Sequence, residues 1–251
     1  MEVEFDDDII QNLVILYGLS CDVDFSKHPV KRVPMTKSDA LALNYDFFKS
    51  LKSTKNTWFL KAIENYNNKI YESDIVEGGV YGIENKVKKI IAPRLDNVYG
   101  GSILTHEITH ALEFEKKVNI RKTDLYQEIV PFLNQFLFIE YLKKYYYVDE
   151  LSESIVDFMV HNQLLYNVHE YGNSSDGIEV DVPKAREHLK YIYGSLYSLV
   201  LYDWYQADED FMKVYSKIYT SGKTIEDVLK HYDVSFGDIS NVILVRSLMK
   251  K

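Results

Sequence analysis

The chain has 251 residues, 46% of them hydrophobic and 14% aromatic, with one cysteine and a formal net charge of −9. That size and apolar content support a globular domain with its own core, and exclude a disordered chain or a disulfide scaffold. The acidic balance argues against nucleic acid as the main partner, and the apolar runs fall short of the ~20 residues a membrane-crossing helix needs.

In chain order, the first eight residues are acidic where a secretory leader would be basic, so a cytoplasmic protein is expected. Residues 6–17 carry Ile9, Ile10, Leu13, Val14 and Leu16 at helical spacing, with Gly18 as the expected stop. Residues 21–36 hold Pro29 and Pro34 and read as irregular. Thr36 and Asp39 form a capping-box pattern ahead of Leu41, Leu43, Phe47, Phe48 and Leu51. A weaker helix is expected from Trp58 to Tyr66. Val80–Glu84 and Val87–Ala92 then read as a hairpin turned at Asn85-Lys86 and ended by Pro93, with Lys88 and Lys89 suited to an exposed edge. After Gly100-Gly101 helices are expected at 102–116, 124–146, 152–170, 183–206, 208–220, 225–232 and 236–250. Thr224 with Asp227 and Ser235 with Asp238 are further capping-box patterns, Gly222 suits a helix C-cap, and 172–177 reads as a polar loop. The expected fold is mainly α, with one small β-hairpin or short sheet before the helix at 102–116. It spans 1–251 as a single domain, with 1–77 a short N-terminal helical part.

The chemistry concentrates at His106-Glu107-Ile108-Thr109-His110, an HExxH pattern on a predicted helix. Four residues of helix advance about 400°, so both imidazoles leave one face about a turn apart and can bind one zinc ion. Glu107 lies about 100° round, off the metal but beside it, where it can take a proton from water on the metal. Leu104, Ile108, Ala111 and Leu112 would bury this helix, and a buried helix carrying such polar groups needs a reason. A catalytic zinc usually has three protein ligands. Glu128, 18 residues after His110, is the expected third, brought opposite the histidines by an antiparallel helix. Pro131 just beyond it either marks a first turn or kinks that helix. Glu113, one turn beyond His110, is the competing ligand, and both Glu113 and Asp124 are candidates to orient a histidine ring. His161 and His169 lie eight apart on a predicted helix and read as surface or satisfied core residues. His28 and His231 read as structural or solvated, and Cys21 as a buried small apolar residue.

These features resemble the thimet oligopeptidase and oligoendopeptidase F family of zinc peptidases. The resemblance covers roughly residues 78–235. It rests on the order of a hairpin, Thr105-His106-Glu107-Ile108-Thr109-His110-Ala111-Leu112, then Glu128-Ile129-Val130-Pro131. The segment His188-Leu189-Lys190-Tyr191-Ile192-Tyr193-Gly194-Ser195-Leu196-Tyr197 and the tail from Tyr215 to Val234, with Ser221-Gly222 and then Val228-Leu229-Lys230, continue it. The chain departs from the family in having Thr109 where Gly is common and one extra residue between Glu128 and its proline. The resemblance implies a zincin-like helical metallopeptidase domain. Its zinc would be held by His106, His110 and Glu128, with Glu107 as general base. It also implies that His188 and one of Tyr191, Tyr193 or Tyr197 contact substrate and the developing oxyanion.

The expected function is zinc-dependent hydrolysis of a short or specific peptide, with the strand Val87–Ala92 binding substrate as an added strand. The alternatives are a non-catalytic peptide-binding or regulatory protein on the same fold, and a helical interaction domain with a chance HExxH. Neither nucleic acid nor a membrane is an expected partner, and the oligomeric state is left open.

Overall fold

Local sequence signals open the elements that position the site. The computed structural model describes residues 7–27, 33–51, 57–74, 78–84, 86–116, 124–146, 157, 159–174, 183–207, 211, 215 and 224–231. Helix α1 spans Asp7–Ser20 and runs through Gly18, which does not take the left-handed conformation of a helix cap. Cys21 follows in a turn closed by its N–H on the Tyr17 carbonyl, and it is exposed rather than buried because the chain leaves the core there. Helix α2, Lys37–Ser50, starts at the Thr36 capping box: Thr36 Oγ1 accepts from Asp39 N–H and Asp39 answers on Thr36 N–H. Its Ala40, Leu43, Phe47 and Phe48 are buried on one face. Helix α3 covers Thr57–Tyr66.

A three-stranded sheet follows, in the order β1-β3-β2. Strand β1 is Ile70–Ser73, β2 Gly79–Ile83 and β3 Lys86–Pro93. β2 and β3 are the expected hairpin, with Ile83 opposite Lys86, so the reversal begins at Glu84, whose φ of 52° is left-handed. β1 lies in the stretch read as purely helical, and it pairs parallel with β3, Ile70 opposite Ile90. The expectation that Val87–Ala92 forms an edge is therefore corrected: β3 is the central strand, and β2 carries the outer edge beside the hairpin. Lys88 and Lys89 are exposed because they face outward, not because their strand is an edge. Tyr81 pairs with Lys89 but Gly82 with Val87, so Lys88 is the extra residue of a bulge. The bulge resets the alternation, and Val87, Ile90 and Ala92 all reach the core.

Asn97 opens the next helix, α4, Val98–Lys116, its Oδ1 accepting from Gly100 N–H at 3.0 Å. The helix thus starts before the Gly100-Gly101 pair. A side chain at Gly100 would overlap the Arg94 carbonyl, so glycine permits this close entry. A 3₁₀ turn at Asp124–Tyr126 leads to α5, Ile129–Tyr146. Pro131 sits in the first turn of α5 and causes no kink, since the Glu128 carbonyl already accepts from Phe132 N–H at 3.0 Å. A π-helical stretch, Met159–Leu165, runs into α6, Tyr166–Ser174, then come α7, Pro183–Ala207, and α8, Ile225–His231. Thr224 and Asp227 form the second expected capping box. Of 208–220, Phe211 and Tyr215 are described, both helical. The helix expected at 236–250, the Ser235–Asp238 pattern, Gly222, His28 and residues 175–177 lie outside the described residues.

One apolar core extends from Leu13 to Leu229. Helix α4 lies at its centre, packed against β3, α2 and α5, and α7 packs on α5. Tyr66 ties these layers, its hydroxyl lying 3.0 Å from Glu115 Oε2 while Glu115 Oε1 accepts from Val87 N–H at 2.9 Å. No helix among the described residues is long and apolar enough to cross a membrane.

Candidate metal centre

Residues 104–109 of α4 are all buried, so polar side chains on this helix must be satisfied inside the protein. His106 and His110 project from one face, their ring centroids 4.7 Å apart. Glu128 comes from the residue just before α5, whose first turn is fixed by its own carbonyl. The three donor atoms form a nearly equilateral triangle. His106 Nε2 lies 3.0 Å from His110 Nε2 and 3.0 Å from Glu128 Oε2, and His110 Nε2 lies 3.1 Å from the same oxygen. Two ring nitrogens and a carboxylate oxygen cluster at that spacing only around something positive, a shared proton or a cation. Tetrahedral zinc with bonds of about 2.0–2.2 Å has ligand atoms about 3.3–3.6 Å apart. The triangle fits such an ion after a small expansion. His106, His110 and Glu128 thus make a group that can hold a metal ion. His110 is the most accessible of the three, its side chain 22% exposed against 9% for His106 and 4% for Glu128.

Burial alone would lower the His110 pKa, but the charge and hydrogen bond of Glu128, then Glu113 and Glu107, raise it to about 9. Burial works against the Glu128 charge, yet His110 and His106 hold its carboxyl well below the usual range. Burial pushes Glu107 up, partly offset by the two histidines and reinforced by Glu128. Glu107 is buried and is not one of the three clustered donors. Its carboxylate lies against Gly78, where any side chain would overlap it. Glu113 is also buried and acts on His110 through its charge, but it lies outside the triad. Asp124 is exposed in the 3₁₀ turn, where its carbonyl accepts from Gln127 N–H. The hydrogen bond to the His106 ring comes instead from Gln135, with Oε1 3.0 Å from Nδ1.

Helix α7 forms the wall behind Glu128. Gly194 is the close-approach point: a Cβ there would overlap Glu128 Cβ and lie 3.0 Å from the Phe132 ring. Tyr193 and Tyr197 are buried and pack on Tyr126 at centroid distances of 5.6 and 5.7 Å, bracing the turn that delivers Glu128. Tyr191 is half-buried, its ring 6.3 Å from Phe132, which lies 4.9 Å from the His106 ring. His188 Nδ1 donates to Asn167 Oδ1 at 2.9 Å. His161 Nδ1 lies 3.0 Å from the Asp157 carbonyl, and His169 stacks on Tyr17 at 6.1 Å, so both are held by local contacts.

Sequence reasoning missed Gln135, Gly78 and a buried chain beneath α4. In that chain Thr109 Oγ1 donates to the Thr105 carbonyl and accepts from Asn134 Nδ2, each at 2.8 Å, and Tyr215 donates to Asn134 Oδ1. The available signal was spacing: Gln135 follows Glu128 by seven residues, two turns on. Comparisons with protein-family models, curated proteins and solved structures give no match.

Proposed function

We propose that the chain is a zinc-dependent peptidase of zincin type, with His106, His110 and Glu128 as metal ligands and Glu107 as general base. The observation that carries this reading is the 3.0–3.1 Å triangle with a buried carboxylate beside it that takes no part in it. A site built only for structure has no use for that fourth group. Two imidazoles and one carboxylate favour zinc among the common divalent ions.

When bound, the metal supplies Lewis-acid polarisation and lowers the pKa of coordinated water. Glu107 accepts a proton from the attacking water and returns it to the leaving amine. Its burial raises its pKa, which improves its capacity to hold that proton. Gly78 lets the start of β2 lie directly against the Glu107 carboxylate. The outer edge of β2 pairs with no other strand among the described residues, and Tyr81 and Ile83 on it are 62% and 63% exposed. An extended peptide that adds to this edge passes beside Glu107. Tyr191 is the tyrosine assigned to the oxyanion, because its ring packs on Phe132, which in turn lies against the His106 ring.

Elemental analysis of freshly purified protein should find about one zinc per chain. Glu107→Gln should keep that zinc and lose peptide hydrolysis by about 100-fold or more. Retained hydrolysis in that variant removes the general-base assignment. Binding of peptides without cleavage by zinc-loaded wild-type protein supports the non-catalytic alternative. Absence of zinc after reconstitution ends the metallopeptidase reading.

A further inference from the structure

Three linked hydrogen bonds, one within α4 and two between α4 and α5, run in a single direction. Ser102 Oγ lies 2.8 Å from the Tyr99 carbonyl. A carbonyl can only accept, so the hydroxyl proton is committed there and the Ser102 lone pairs turn toward Gln135. Gln135 Nε2 sits 3.5 Å from that oxygen. This places the Gln135 amide with its oxygen toward His106, 3.0 Å from Nδ1. An amide oxygen also only accepts, so Nδ1 carries a proton, and in the neutral ring that a metal ion needs Nε2 is bare. That bare atom is the one 3.0 Å from both His110 Nε2 and Glu128 Oε2. Ser102, Gln135 and His106 are 0%, 3% and 7% exposed, so water does not compete for these bonds.

We infer that Gln135 is a positioning residue: together with Ser102 it sets the His106 tautomer and turns Nε2 into the metal centre. The inference rests on the metal-centre reading above. The residue before Gln135 keeps the register, since Asn134 is held between Thr109 and Tyr215. Gln135 performs this without adding charge. Glu128 therefore remains the sole anionic ligand, and His106 is oriented but less basic than with a carboxylate partner.

The experiment has two readouts, the tautomer of the metal-free protein and the affinity for zinc alone. Long-range ¹H–¹⁵N NMR of metal-free wild type should show the His106 proton on Nδ1 and a bare Nε2. Gln135→Met should shift the ring toward the Nε2–H form and weaken zinc binding about 10–100-fold. Gln135→Glu restores an acceptor and should bind zinc within about threefold of wild type, or tighter. Any wild-type state other than Nδ1–H with a bare Nε2 overturns the inference. So does a Gln135→Met protein with unchanged tautomer and unchanged affinity, even if its Tm falls. Should Gln135→Met fail to fold, Ser102→Ala carries the test: it frees the amide to flip and should give a partial tautomer shift, whereas no shift overturns the inference. If wild type binds no zinc, the metal reading fails while the metal-free tautomer still decides the role of Gln135.

Discussion

At the scale of single residues, the site depends on where side chains are missing as much as on where they are present. Gly78 has no Cβ to place against the Glu107 carboxylate, although it stands 29 positions earlier in the chain. In Gly78→Ala the added methyl meets the far end of a flexible side chain, so Glu107 moves and the backbone stays. The expected result separates binding from chemistry. Zinc affinity should hold within about threefold while kcat falls by about 100-fold, the cost of misplacing a reacting group by about an ångström. Calorimetry with zinc and a peptide turnover assay check both halves. An equal loss in both would mean that Gly78 supports the metal ligands rather than the base. His106, Glu107 and His110 were legible in the sequence because helical spacing alone sets their relation. Gln135 and Gly78 were not, because their partners are reached through space. Asp124 illustrates the reverse error: near the site in sequence, it faces solvent.

At the scale of elements, the contact of α7 with the start of α5 decides where Glu128 points. Gly194 permits it, with the Glu128 carbonyl carbon 3.1 Å from where a Cβ would stand. Here the nearest obstacle is Glu128 Cβ, which is fixed to the backbone and cannot swing aside. Gly194→Val should therefore push α7 outward, destabilise the fold by about 1–3 kcal/mol and weaken zinc binding. Thermal unfolding of the metal-free protein, paired with a zinc titration, measures the two effects. A stable variant with wild-type affinity would show that Glu128 is held by its own helix start alone. Helices α2, α4, α5 and α7 were legible from apolar periodicity, and two capping boxes located the starts of α2 and α8. β1 was not, because a four-residue strand carries too short a pattern and its parallel partner lies 20 residues away. The edge was misassigned for the same reason. A hairpin shows two strands in sequence, and only the unseen third makes β3 central.

At the scale of the whole molecule, the candidate metal ligands link α4, at the centre of the core, to the start of α5. Without metal, a shared proton must do this work, and its energetics give the fold a pH dependence. Glu128 titrates in the folded protein well below its ordinary 4.5. Its stabilising contribution is therefore complete above about 4.5 and is lost as pH falls through the lower folded value. His110 titrates at about 9 rather than 6.5. Its contribution is complete below about 6.5 and is lost as pH rises through about 9. Metal-free protein should thus unfold at the highest temperature between about pH 4.5 and 6.5, and lose stability on the alkaline side well before its lysines titrate. Zinc replaces the His110 proton, so zinc-loaded protein should lack the alkaline decline between pH 6.5 and 9 and gain about 4 kcal/mol at a free metal concentration 1,000 times Kd. Calorimetric scans across pH, with zinc and with chelator, test this directly. Parallel curves for the two forms would mean that the three clustered side chains hold a proton for structural reasons and no metal. Converging curves below pH 5, where protons displace the metal from its ligands, and diverging curves above pH 7 are what a metal centre linking α4 to α5 requires.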